Sequence, residues 1–170
     1  IVSTGAAGAD VGNITVSSGL TWGSNKTLTL TAAGGVTGAS GISMTGGGSL
    51  VFNQAGTSTF SGVISGAGGS ITKDGAGVLT LAGANTYTGS TTITNGTLKA
   101  GIASVANVSG AFGKNSAISL ADTAGAVLDI SGFNLKWEVW VGEVQLAAIF
   151  NRHKESNVIN KWAMRIEVAE

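Results

Sequence analysis

Between residues 64 and 101 the chain reads ISGAGGSITKDGAGVLTLAGANTYTGSTTITNGTLKAG, short runs of Thr, Val, Leu and Ile cut apart by glycine every few residues. Apolar positions recur over three or four residues and then stop, which is the pattern of short strands joined by tight turns. The β-branched residues of Val78-Leu79-Thr80-Leu81 and Thr91-Thr92-Ile93-Thr94 suit a pleated strand, and the intervening glycines leave the backbone free to turn. Nothing in this stretch has the pattern of a catalytic site. A collagen helix needs proline and strict spacing, and the chain has 28 Gly but 0 Pro. Disorder needs low hydrophobicity and high net charge, whereas 43% of the residues are apolar and the net charge is +0. Folded, glycine-rich β-structure is what survives.

Within the same stretch, Lys73, Gly75, Gly77, Leu79, Leu81, Gly83, Asn85, Tyr87, Gly89, Thr91, Ile93, Gly96 and Leu98 form a long ordered set. This set closely resembles the passenger-associated transport repeat of bacterial autotransporters: a lysine, Gly-x-Gly, Leu-x-Leu, Gly-x-Asn-x-Tyr-x-Gly, then Gly-Thr-Leu. The resemblance implies a right-handed parallel β-helix over residues 1–135, all-β, forming part of a passenger that reaches the cell surface or the medium after crossing the periplasm. It also implies a membrane β-barrel translocator elsewhere in the parent protein. The residues it marks as shaping the coil are Lys73, Gly75, Gly77, Leu79, Leu81, Gly83, Asn85, Tyr87, Gly89 and Leu98, and their role is architectural.

Residues 1–63 use the same alphabet. Asn13-Ile14-Thr15-Val16, Thr27-Leu28-Thr29-Leu30-Thr31, Gly41-Ile42-Ser43-Met44 and Ser49-Leu50-Val51-Phe52 alternate apolar with small polar residues, sending one set of side chains inward. The passage GNITVSSGLTWGSNKTLTLTAAGGV resembles the β-helix of filamentous-haemagglutinin-type secreted proteins, with Trp22 as a rung or turn anchor. Words such as Leu28-Thr29-Leu30, Leu50-Val51-Phe52, Leu79-Thr80-Leu81, Thr97-Leu98-Lys99 and Ile118-Ser119-Leu120 recur at roughly twenty residues, the length expected of one solenoid coil. Asp122 and Asp129 are read as turn or outward-facing residues.

At Lys136 the composition changes: residues 136–170 hold ten of the eighteen charged side chains, three of the four tryptophans and one of the 28 glycines. Alternation predicts strands in 136–141 and 161–168, with a helix over 143–155, so this tail reads as a mixed α/β cap or appended module. A cap would cover the last coil and discourage strand addition, since the open ends of a solenoid invite self-association. The chain starts at Ile1 without a basic leader, and is read as a mature piece of something larger.

Chemistry finds little support. The single histidine, His153, sits between Arg and Lys in the tail, and no serine lies in Gly-x-Ser-x-Gly. Before the tail the only acids are Asp10, Asp74, Asp122 and Asp129, too dispersed for a lyase or glycosidase groove, and Asp74 precedes Gly75 as a turn residue does. No enzyme, metal or cofactor is expected, and Cys is 0. Zero net charge removes the attraction on which nucleic-acid binding rests. The threonines Thr86, Thr88, Thr91 and Thr92 do not recur in register as an ice-binding array requires. The function read from the sequence is a structural solenoid of a surface adhesin that supports passenger folding; the alternative is a non-catalytic module for a glycan or host surface, motivated by Trp22, Trp137, Trp140 and Trp162.

Overall fold

The computed structural model describes residues 1–4, 12–121 and 125–131 with their side chains, together with the backbone of three further strands up to residue 167. The alternating segments do become strands, but each is only two to six residues long, because glycine-rich turns interrupt the pleat before it can extend. The chain winds through three sheets in succession. The first stacks β1 (Val2–Ser3), β4 (Thr27–Ala32), β7 (Ser49–Gln54), β10 (Ser70–Asp74), β12 (Thr91–Ile93), β14 (Ile118–Leu120), β16 (Val139–Val141) and β17 (Val144–Leu146). The second stacks β2 (Ile14–Val16), β5 (Val36–Gly38), β8 (Ser58–Phe60), β11 (Val78–Leu81), β13 (Gly96–Ala100), β15 (Ala126–Asp129) and β18 (Arg165–Glu167); the third holds β3 (Leu20–Trp22), β6 (Ile42–Met44) and β9 (Ile64–Ser65). All pairings between these strands are parallel except β15 with β18 and β16 with β17, and two isolated antiparallel bridges join Asn85 to Gly110 and Val105 to Ser109. This is an all-β parallel solenoid, and no helix occurs among the described residues.

Register shows how one coil follows the next. Leu20, Ile42 and Ile64 pair in succession on the third sheet, 22 residues apart each time. On the first sheet Leu28, Leu50, Ile71, Thr91 and Ile118 form one column, and the spacing shrinks from 22 to 20 residues before widening to 27. The wide step is a loop over 101–117 that bulges where the third sheet would continue. Before it, the third sheet persists as hydrogen bonds alone: Thr86 N–H donates to Ile64 O at 2.9 Å and Thr88 N–H to Gly66 O at 3.2 Å.

The recurring words of the sequence belong to two different columns. Leu28 and Leu50 lie on the first sheet, whereas Leu79 and Leu98 lie on the second, paired with Ser58 above and Leu128 below. Both faces use the same Leu-x-Leu spelling, so the single period read from the sequence was two interleaved ones.

The core is the space these columns enclose. Leu50, Phe52, Phe60, Ile64, Ile71, Leu79, Leu81, Ile93, Leu98 and Ile118 are all buried, and the Phe52 and Phe60 rings meet edge to face at 5.8 Å. Each such aliphatic side chain contributes about 1.5–3 kcal/mol when removed from water, but only once the next coil covers it. The outward positions are largely hydroxyls. Thr15, Thr37, Thr59 and Thr80 occupy one column of the second sheet, with Thr15 and Thr37 hydroxyls 3.3 Å apart. Thus the expectation that threonines lack register holds for Thr91, which lies between Ile71 and Ile118, but fails for Thr92, which pairs with Thr72, and for this column, because an outward position in a parallel stack repeats once per coil and not once per motif.

Of the tail, β16 and β18 fall in the segments read as strands, while β17 is a strand at the start of the span read as a helix. Backbone pairing with β16 accounts for that difference. The remainder of 136–170, including His153, Trp137 and Trp162, lies outside the described residues.

Candidate functional site

The sequence-marked residues converge on the turn that joins the first sheet to the second, and on the next turn, which leads from the second sheet toward the third. At the first, the strand alternation that buries Ile71 carries Lys73 inward too, stacked between Phe52 and Ile93 of the neighbouring coils. Its four-carbon stem fills a core position while its ammonium reaches the turn. There Nζ donates to Asp74 O at 2.8 Å, Gly75 O at 2.7 Å and Asn95 O at 3.3 Å. The last bond crosses to the following coil, so one side chain ties two coils together. Burial lowers the Lys73 pKa from 10.5 to about 8, opposed by the neighbouring Asp74 charge.

One coil earlier the same corner is held by Gln54, which the sequence reading overlooked. Its buried Nε2 donates to Gly56 O at 3.1 Å, Ser58 Oγ at 2.8 Å and Val78 O at 2.9 Å, while Oε1 accepts the Val36 N–H at 3.2 Å. It therefore spans three coils. The signal was present: Leu50, Phe52 and Gln54 share one parity, which places a polar residue at an inward position.

Gly75 and Gly77 follow Lys73 because no other residue fits. Gly75 has φ +75°, and a Cβ there would lie 2.6 Å from Gln54 O. At Gly77 a Cβ would meet the carbonyl oxygen of Gly56 and come within 2.7 Å of the Ala55 carbonyl carbon. The turn thus sits directly on the backbone of the preceding coil. Gly83 and Gly89 pack in the same way over Gly62 and Gly69. Asp74, read as a turn residue, is one: its Oδ1 accepts the Gly75 N–H at 2.8 Å and the Thr94 hydroxyl at 3.1 Å.

Asn85 and Tyr87 hold the second region. Asn85 Oδ1 accepts the Ile64 N–H at 2.8 Å from the preceding coil, and its Nδ2 donates to Ala111 O at 2.6 Å in the 101–117 loop. Its backbone exchanges two further hydrogen bonds with Gly110, of 3.0 and 3.1 Å. Tyr87 is buried with its hydroxyl 2.6 Å from Thr91 Oγ1, and its carbonyl accepts from Lys114 N at 2.8 Å and Ser116 Oγ at 3.2 Å. Burial raises the Tyr87 phenol far above its ordinary value, with the Thr91 contact opposing. These two residues anchor the bulge that lengthens the coil. Leu79, Leu81 and Leu98 are fully buried beside them on the second sheet.

Trp22 anchors a turn: its indole N–H donates to Lys26 O at 3.1 Å. Asp129 faces outward and pairs with Lys99 at 3.3 Å; burial works against ionisation, but the Ser131 N–H and Lys99 outweigh it and hold the carboxyl below 3.8. Among the described residues no three His, Cys, Asp or Glu side chains group as metal ligands. Chemically, the arrangement is a set of fixed carbonyls, side-chain amides and one ammonium, closed upon one another and spanning coil to coil. No curated protein and no solved structure matches the chain. Residues 71–100 match the model of a family described as the passenger-associated-transport-repeat, and this part of the β-solenoid is such a repeat.

Proposed function

We propose that this chain is a segment of an autotransporter passenger, exposed at the bacterial surface or released from it, and that the repeat at 71–100 serves as a folding platform for that passenger. The observation that carries this reading is that two marked polar side chains of the repeat join coils: Lys73 to the coil of Asn95, and Asn85 to both Ile64 and Ala111. A coil closed this way buries apolar surface at about 25 cal/mol per Å² as it forms, which opposes sliding back and needs no nucleotide hydrolysis outside the cell. A β-barrel translocator in the parent protein and association through open solenoid ends accompany the proposal. Leu79→Asp or Gly89→Val, placed in the parent passenger, should reduce its surface display or secretion; export at the wild-type level would count against a folding role.

A second reading, an adhesive surface for a glycan or host matrix, is favoured by the outward hydroxyl columns, which offer uncharged donors and acceptors repeated once per coil. Saturable binding on a glycan array, lost when Thr59 and Thr80 are replaced by Lys, would support it; an array without saturable binding would remove it.

A further inference from the structure

Two consecutive coils place an Asp-Gly and an Asn-Gly step at the same corner, and the fold holds both in one way. Gly75 N–H donates to Asp74 Oδ1 at 2.8 Å, and Gly96 N–H donates to Asn95 Oδ1 at 2.7 Å. The carbonyl oxygens of those same two peptide groups, Asp74 O and Asn95 O, both accept from the Lys73 ammonium. Both glycines have positive φ, +75° and +67°.

Intramolecular loss of a side-chain amide has three requirements. The following backbone nitrogen must lie beside the side-chain carbonyl carbon, no Cβ on the following residue should block it, and the N–H must be acidic enough to give up its proton. Gly96 has no Cβ, and its N–H donates to Asn95 Oδ1 at 2.7 Å, a hydrogen bond that keeps the nitrogen on the side of the Asn95 amide whose carbon it must reach. Lys73 addresses the third. A cation on the carbonyl oxygen of an amide draws density through the conjugated C–N bond and makes the N–H more acidic.

We propose that Asn95-Gly96 is a self-modifying site, at which the fold drives Asn95 to a succinimide and then to aspartate and isoaspartate. In the first step Gly96 N bonds to Asn95 Cγ and its proton passes to Oδ1, giving a tetrahedral carbon. The Cγ–Nδ2 bond then breaks, the hydroxyl proton leaves with the nitrogen as ammonia, and the ring carbonyl re-forms. Water opens the ring at either carbonyl, yielding aspartate or isoaspartate, with no oxidant, reductant or cofactor. Lys73 polarises the peptide group and is not consumed; it is a positioning residue here. Asp74-Gly75 is the slower sister, because its side chain carries no amide to leave as ammonia. Isoaspartate adds one backbone atom next to Gly96, the first residue of β13, whose register with β11 (Val78 with Thr97, Leu79 with Leu98) closes the repeat. Modification would therefore loosen that coil. This inference does not rest on the passenger reading.

The test uses the full chain, incubated at neutral pH either native or unfolded in urea, with conversion followed by peptide mapping and mass spectrometry; the succinimide and isoaspartate forms are separated chromatographically. Asn95 should convert about tenfold faster in the native chain than in the unfolded one, the change given by about 1.4 kcal/mol off the barrier. Asn115-Ser116 in the 101–117 loop, where Asn115 is exposed and Ser116 is buried, serves as internal control and should convert no faster when native. Native Lys73→Met should fall toward the unfolded rate at Asn95 alone. A native rate at or below the unfolded rate overturns the proposal, and an unchanged Lys73→Met rate overturns the part given to Lys73. If Lys73→Met does not fold, the native and unfolded wild-type rates decide.

Discussion

Lys73 lies among apolar side chains, and the consequence is a stability profile that runs opposite to the usual one at alkaline pH. In the unfolded chain its amine keeps its proton up to 10.5, whereas in the folded corner it gives the proton up near 8. Between those values the unfolded state binds more protons, so stability must rise as pH rises through this window. Below about pH 8 the amine is charged in both states, and the penalty of burying it is fully present. Each pKa unit is 1.36 kcal/mol, so the full window corresponds to about 3 kcal/mol; screening near the solenoid surface reduces this to about 2 kcal/mol.

The assay is urea unfolding followed by far-UV circular dichroism, from pH 7 to pH 10, on wild type and Lys73→Met. The difference between the two free energies cancels titrations they share. It should grow in favour of wild type by about 2 kcal/mol across the window, whatever its sign at pH 7, because the variant loses both the buried charge and the hydrogen bonds to Asp74 O, Gly75 O and Asn95 O. Slopes with urea must stay equal for the comparison to hold. A flat difference curve would refute the reasoning: the ammonium would then be as well solvated in the corner as in water, and the three carbonyls would fully replace its hydration.

Three further outcomes follow from the same geometry. Tyr87→Phe should lose about 1 kcal/mol through the missing contact with Thr91; because the raised phenol keeps its stabilising effect whole below 10 and loses it as pH climbs beyond, the variant should also lack the wild-type decline above pH 10. Gly77→Ala drives a methyl group into the backbone of Gly56 and should destabilise by on the order of 3 kcal/mol, seen as a lower urea midpoint at unchanged slope. Asn85→Ala leaves the buried Ile64 N–H and Ala111 O without their partner at about 1–3 kcal/mol each, and hydrogen exchange should quicken first at Ile64 and across the 101–117 loop.

What the sequence disclosed and what it withheld both come from parity. Where a strand is five or six residues long, as in β4 and β7, alternation states which side chains face inward, and the reading of 27–31 and 49–52 needed nothing more. β5 and β8 are three residues each with one large apolar side chain at most, so they are strands only because neighbouring coils pair with them. The assignment of words to columns was equally hidden. Leu50 faces Ile71 and Leu79 faces Ser58, yet nothing in the spelling of Leu-x-Leu says which sheet it occupies. The motif residues were found but not their work: Lys73 stood out by pattern, while its inward direction follows from Ile71 two residues earlier and its cross-coil bond from Asn95, 22 residues later. A solenoid writes its contacts at a separation of about one coil, and one coil here is 20 residues in one place and 27 in another. The loop that causes this change is fixed by Asn85 and Tyr87, so the irregularity that obscures the period is anchored by the residues that define the motif.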